Sequence, residues 1–380
     1  MRVKLVRKEH PMNFETFELE RIQSLYENTV QYNLTESGIH PYTPKELLSE
    51  AEIETMLNLR LGYGQTNGSI ELRKAISQHY QGADIDNVLV TNGSAESNFT
   101  FAWSNINAGD EVVVMLPNYM QIWGIGRYLG ADVKPFYLKE NLNWAPDMDE
   151  LKQLVTPRTK MICLCNPNNP TGAILDTNAM DAIIEIAKKN GALLHVDEIY
   201  RGAELEGDET PTFYGKYDKA IVTMSLSKSY ALPGLRMGWL VGPKELMEKG
   251  WAYHDYTSIS TTIMSQYVAT LIMQPERREK VLSRGRKMLR ENLDAIQKWV
   301  DTHSELFHFT PPRAGGMAFM RYNIPINSTE LSDKLRLGKS VFIIPGDCFG
   351  MDHYLRIGIG GEKEHLLAGL DLIDETLNEL

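Results

Sequence analysis

The chain has 380 residues, 43% of them hydrophobic and 23% charged, enough for two domains and for a core that can enclose a ligand. Its 39 basic and 50 acidic residues leave a net charge of −11, which argues against nucleic acid or an anionic membrane as partner, because both favour a basic patch. Cys163, Cys165 and Cys348 lack metal-ligand spacing and read as free thiols, residues 1–10 are charged, and no run approaches the ~18 apolar residues of a membrane span, so a cytoplasmic location is expected.

Residues 1–45 precede the first regular alternation. From residue 88 onward, strand-like runs recur: Val88–Thr91, Val112–Leu116, Val133–Leu138, Met161–Cys165, Leu193–Asp197, Ile221–Ser225 and Met237–Val241. Several are continuously apolar and β-branched, the mark of strands buried on both faces. Helix-like stretches lie between most of them, such as Met180–Asn190, which stops at Gly191. This alternation predicts an α/β fold, a mainly parallel sheet of about seven strands flanked by helices. The pattern changes near residue 275. A long charged helix is expected over Glu276–Trp299, then strands at Met317–Tyr322, Val341–Ile344 and Tyr354–Gly358, and a last helix from about Lys363. The expected organisation is a large ligand-binding domain over 46–275 and a smaller, discontinuous α+β domain made of 1–45 and, with the linker helix, 276–380.

Chemistry-bearing residues cluster just after the strands. Asn92-Gly93-Ser94-Ala95 follows the first run and opens a helix, so its free N–H groups suit an anion, although alone it also reads as an ordinary capped turn. Tyr119 follows the second run. There it is either a surface-loop tyrosine or a ring that stacks on a ligand in the crevice at the strand ends. Asn169 sits in the proline-rich loop Asn166–Gly172 and offers an amide. Asp197 ends a strand where a carboxylate is costly unless partnered, and Tyr200 follows three residues on. Ser225 and Lys228 follow the next strand, eight residues ahead of Arg236. A lysine amine can form a Schiff base with an aldehyde, a carboxylate can keep a pyridine nitrogen protonated, a phenol and an amide can bond a ring hydroxyl, and Ser with Arg can bind phosphate. In that order they supply what pyridoxal 5′-phosphate needs. Arg356, in the apolar strand Tyr354–Gly358, wants a carboxylate, either structural or the substrate's.

With these motifs in order, from Tyr63-Gly64 to Arg356, the chain resembles the class I/II aminotransferases, fold type I pyridoxal-phosphate enzymes. The resemblance implies a homodimer in which Tyr63 serves the partner's cofactor. It implies that Gly93, Ser94, Ala95, Tyr119, Asn169, Asp197, Tyr200, Ser225, Lys228 and Arg236 bind the cofactor, with Lys228, Asp197 and Tyr200 catalytic. Gly38, Asn169 and Arg356 would meet an amino acid or 2-oxo acid substrate. The segment Glu36-Ser37-Gly38-Ile39-His40-Pro41 departs from the commoner form and looks more like a capreomycidine-synthase-like branch. Ala95 stands where one acidic-substrate subgroup has lysine. The expected reaction is amino-group transfer, with elimination or ring closure as the alternative on the same scaffold. The expected donor is neutral polar or basic rather than aspartate, unless a residue such as His254 supplies a further charge from the partner.

Overall fold

The computed structural model describes residues 14–379, so residues 1–13 of the expected N-terminal segment lie outside it. The described chain begins with helix α1 (Glu18–Tyr26), which buries Leu19, and a two-residue strand β1 (Tyr32–Asn33). Then come β2 (Val88–Thr91), β3 (Glu111–Leu116), β4 (Asp132–Lys139), β5 (Ala145–Pro146), β6 (Thr159–Cys165), β7 (Leu193–Asp197), β8 (Ala220–Ser225) and β9 (Gly238–Val241). These eight form one sheet in the order β2-β9-β8-β7-β6-β3-β4-β5. The central pairs from β4 through β8 are parallel, and β9 runs antiparallel between β2 and β8. The mainly parallel sheet is as expected. The eighth strand is β5, whose two residues are too few to carry a readable period.

Every residue of β2, β3, β8 and β9 is buried, as continuous apolar strands require when helices cover both faces. The helix expected at Met180 starts earlier, at Thr177, because the Asp176 side chain accepts the Ala179 N–H and caps it; Gly191, at φ 70°, ends it. The run expected from Met237 begins at Gly238.

The long helix spans Pro275–Thr302, with proline in its first turn. Beyond it lie β10 (Phe307–Phe309), β11 (Met317–Tyr322), β12 (Val341–Phe342), β13 (Ile344–Pro345) and β14 (Tyr354–Gly358), then a helix over Lys363–Asn378. The strand expected as Val341–Ile344 is two strands in different sheets. β12 pairs with β1 in parallel, while β13 joins the four-stranded order β10-β11-β14-β13. The chain crosses between the sheets at Ile343, which is fully buried, so apolar character runs through the crossing unbroken. Leu34 and Ile39 share a core with Leu289, Ile296, Ile357 and Leu370, which attaches the early segment to the C-terminal part.

Parallel strands deliver all their carboxyl ends to one edge of a sheet. Strand β9, running the other way, starts at that same edge. The loops after β2, β3, β6, β7 and β8 therefore meet the segment that leads into β9. The long helix braces one of these loops. Arg278 donates to the Tyr230 hydroxyl at 2.8 Å and to Glu209 at 2.7 Å, and Glu209 pairs with Arg201 at 2.9 Å. This half-buried ion network holds the turn that follows Lys228.

Candidate active site

A cavity of about 320 Å³ opens where these loops converge, a size suited to a small organic ligand. Lys228, Asp197, Tyr200 and Asn169 line one part of it, Ser94, Ala95 and Arg236 another, and Tyr119 and Arg356 also reach it. Gly93, Ser225 and Gly38 stand directly behind the wall. A Cβ at Gly38 would lie 3.4 Å from Lys228 Cδ, and Ser225 is fully buried, its Oγ accepting the Ser227 N–H. Tyr63 is the exception. It is 85% exposed and lies away from this cavity in the single chain.

The anion end is built from backbone. Gly93 caps the helix Ser94–Asn105 at φ 82°, and the first-turn N–H groups of any α-helix lack intrahelical partners. Arg236, itself left-handed at φ 49°, packs its guanidinium against Gly93. A Cβ there would sit 2.5 Å from Arg236 Nη2. Gly238 makes the same turn possible from below, since a Cβ on it would meet the Ser94 nitrogen at 2.5 Å. Glu96 folds back to accept the Asn92 N–H at 2.6 Å. Burial alone would raise its pKa, but hydrogen bonds from His254, Thr257, Ser258 and Asn92 hold it at about 2. His254 is fully buried beside Glu96, at 3.2 Å, and so has no face to present to a second subunit's substrate.

Asp197 ends β7 deep in the site. Its Oδ2 accepts Asn98 Nδ2 at 3.0 Å and its Oδ1 the Ile199 N–H at 3.2 Å. Burial pushes its carboxyl up to about 6, against the pull of these two donors and of Lys228. Both hydrogen-bond donors are neutral, so the carboxylate remains suited to a cationic partner in the cavity. Tyr200 is buried, which pushes its phenol up, and it donates to Ser37 Oγ at 2.8 Å. Lys228 Nζ stands 3.6 Å from Glu36 Oε2. Arg356 is buried, its Nη1 donating to Asn169 Oδ1 at 3.0 Å and its Nη2 to the Thr35 carbonyl at 2.6 Å, while Nε has no partner.

One wall did not announce itself in the sequence. Helix α1 lies across the cavity, where Glu20, Gln23 and Ser24 face in, joined by Glu27 just past its end. It is pinned by Tyr119, whose hydroxyl donates to Glu20 Oε1 at 2.8 Å and whose ring meets Phe17 edge-on at 4.7 Å. Asn98, Ser37 and Thr35 were likewise not singled out by motif. The spacing of Asn98 one turn beyond Ser94 was the available signal.

Residues 32–373 match the family model Aminotransferase class I and II. The chain belongs to this family. It is 28% identical to capreomycidine synthase of Streptomyces vinaceus, across 91% of this chain and 89% of that one. It is 29% identical to (5-formylfuran-3-yl)methyl phosphate transaminase of Methanocaldococcus jannaschii, across 97% and 98%. The crystal structure of a PLP-dependent aminotransferase from Streptococcus suis superposes with a TM-score of 0.91 at 32% identity, covering 97% of this chain and 98% of the other. The PLP-dependent cyclase OrfR superposes with a TM-score of 0.89 at 27% identity, covering 98% and 100%. The aminotransferase is thus a fold type I, pyridoxal-phosphate-dependent enzyme. Its residues fit that cofactor. The Gly93–Arg236 cradle has no room for a side chain, and the buried Asp197 carboxylate has neutral hydrogen-bond partners where a ring cation would fit.

Among the described residues no helix is long and apolar enough to cross a membrane. The three cysteines are buried and free.

Proposed function

We propose that the aminotransferase moves an amino group from an amino acid to a 2-oxo acid in the cavity between the unit 46–275 and a discontinuous unit of 1–45 with 276–380, with Lys228 as the cofactor-bearing residue. The observation that carries this is the placement of Lys228 Nζ in the same cavity as a buried carboxylate, Asp197, and a buried guanidinium, Arg356. Pyridoxal 5′-phosphate, when bound, supplies an aldehyde for the amine and a ring that takes up the charge left at the substrate Cα. Asp197 holds the ring nitrogen's proton. Asn169 and Tyr200 would bond the ring oxygen, Tyr119 would stack on the ring, and Arg236, Ser225 and the Gly93-Ser94-Ala95 turn would take the phosphate. Arg356 anchors the substrate carboxylate through donors not already engaged, and Gly38 lets its segment pass close to Lys228. Lys228 Nζ, once released from the cofactor, would take the proton from the substrate Cα and return it to cofactor C4′.

A homodimer completes the site. Leu61, Tyr63 and Tyr256 are each more than four-fifths exposed, and Asn92 of the anion turn bonds Ser258 of the segment that carries Tyr256. Tyr63 then serves the partner's phosphate. A cytoplasmic location accords with the free thiols. The likeness to a PLP-dependent cyclase supports ring closure or elimination as the second reading, since both begin with the same proton removal.

Borohydride treatment of the yellow holoenzyme should bleach its visible band and leave the added mass on Lys228. Lys228→Ala should lose covalent attachment, with turnover down by about 10²–10⁴-fold. Full turnover in that variant would refute the assignment.

A further inference from the structure

Three carboxylates face the substrate side of the cavity. Glu20 projects from α1, Glu27 follows directly on its last residue, and Glu36 comes from the segment that runs on to Gly38. Glu27 titrates above the usual carboxylate range, first through burial and then through the charges of Glu36 and Glu20, which places both of those carboxylates within electrostatic reach of it. The cations on the same wall are Lys228, Arg236 and Arg356. In the reaction proposed above each is committed: Lys228 first to the cofactor aldehyde and then, as a neutral amine, to the Cα proton, Arg236 to the phosphate and Arg356 to the substrate carboxylate. Arg356, 1% exposed with Nε unpartnered, is itself a built anchor for a ligand carboxylate. Once these are engaged, no lining cation among the described residues remains for the three glutamates. Glu20 keeps a neutral donor, the Tyr119 hydroxyl at 2.8 Å, and Glu36 loses the ammonium now 3.6 Å away.

We propose that Glu20, Glu27 and Glu36 form a subsite for a cationic side chain, so that the amino substrate is a basic amino acid bearing an ammonium or guanidinium group. This rests on the proposed function for the commitment of the three cations. A further carboxylate from a glutamate or aspartate side chain would be repelled there, and a neutral side chain would leave the three carboxylates uncompensated.

The test uses the holoenzyme in deuterated water and reads exchange of the Cα hydrogen by NMR, a step shared by transamination and ring closure. Arginine and lysine should exchange with specificity constants at least about 100-fold above those of aspartate and glutamate, and above those of alanine and methionine. The double variant Glu20→Gln, Glu27→Gln should narrow the ratio of basic to neutral donors by about tenfold or more. Acidic or neutral donors that equal the basic ones, or a ratio unmoved in the double variant, would overturn the subsite while leaving the aminotransferase reading intact. Absence of exchange with every amino acid would instead strike the proposed function, and calorimetry then decides the subsite alone. 5-Guanidinopentanoate, which has a carboxylate and a guanidinium but no α-amine, should bind at least about tenfold more tightly than glutarate. Tighter glutarate binding would overturn the proposal.

Discussion

At the scale of single residues, Asp197 is the group whose surroundings say most. An ordinary aspartate titrates at ~3.9, and burial pushes this one up to about 6. The folded chain therefore holds the proton more tightly than the unfolded chain does. That contribution stabilises the cofactor-free fold below about pH 4 and is lost as the pH rises through 6, a difference on the order of 3 kcal/mol. With cofactor removed, Asp197→Asn should melt higher than the parent at pH 8 and lose that advantage near pH 4.5 in thermal scans. With cofactor bound, the same variant should exchange the substrate Cα hydrogen roughly 10²-fold more slowly, because an amide cannot hold the ring nitrogen protonated. An unchanged exchange rate would place Asp197 outside the chemistry.

At the scale of elements, the turn between β2 and its helix is where backbone geometry shapes the proposed phosphate site. Gly93→Ala adds a methyl at φ 82° that would meet Arg236 Nη2 at 2.5 Å. Loss of one charge-assisted contact, about 1.5–3 kcal/mol, should raise the cofactor dissociation constant by roughly 10- to 100-fold in a fluorescence titration. Gly82→Ala is the control. Gly82 has the same φ of 82° with nothing within 4 Å, so it should lose about 1 kcal/mol of stability and leave the titration unchanged. These turns were legible in the sequence because each follows a continuous apolar run, as Ser225 and Lys228 follow β8. The elements that were not legible fail for physical reasons. Helix α1 and its C-cap turn Glu20 and Glu27 toward a cavity rather than toward water, and a polar face reads the same either way. Asn98 acquires its role only when its helix packs beside β7, 99 residues away. The split of β12 from β13 was hidden because the crossing residue, Ile343, is as apolar as the strands it joins.

At the scale of the whole molecule, Arg356 shows how the two sheets cooperate. It sits on β14 of the smaller sheet, yet it bonds Asn169 from the loop after β6 and the carbonyl of Thr35. The proposed substrate anchor and the loops proposed to hold the cofactor are thus joined from opposite parts of the chain, an arrangement that no single motif displays. The exposed Tyr63 extends the argument to a second subunit. Mixing the inactive Lys228→Ala variant with an inactive Tyr63→Ala variant, under conditions that exchange subunits, should restore part of the activity in hybrid dimers. No recovery, with exchange verified by mass, would mean that each site is built from one chain.

The most direct measurement is the mass of the cofactor released after the yellow holoenzyme is mixed with an amino donor and no acceptor. Transamination at Lys228 predicts conversion of the bound cofactor from its aldehyde form to its amine form, with one 2-oxo acid released per site. A 2-oxo acid acceptor should then restore the aldehyde form and the visible band. A donor that is consumed while the cofactor is recovered only in the aldehyde form would contradict amino-group transfer and point to elimination or ring closure instead.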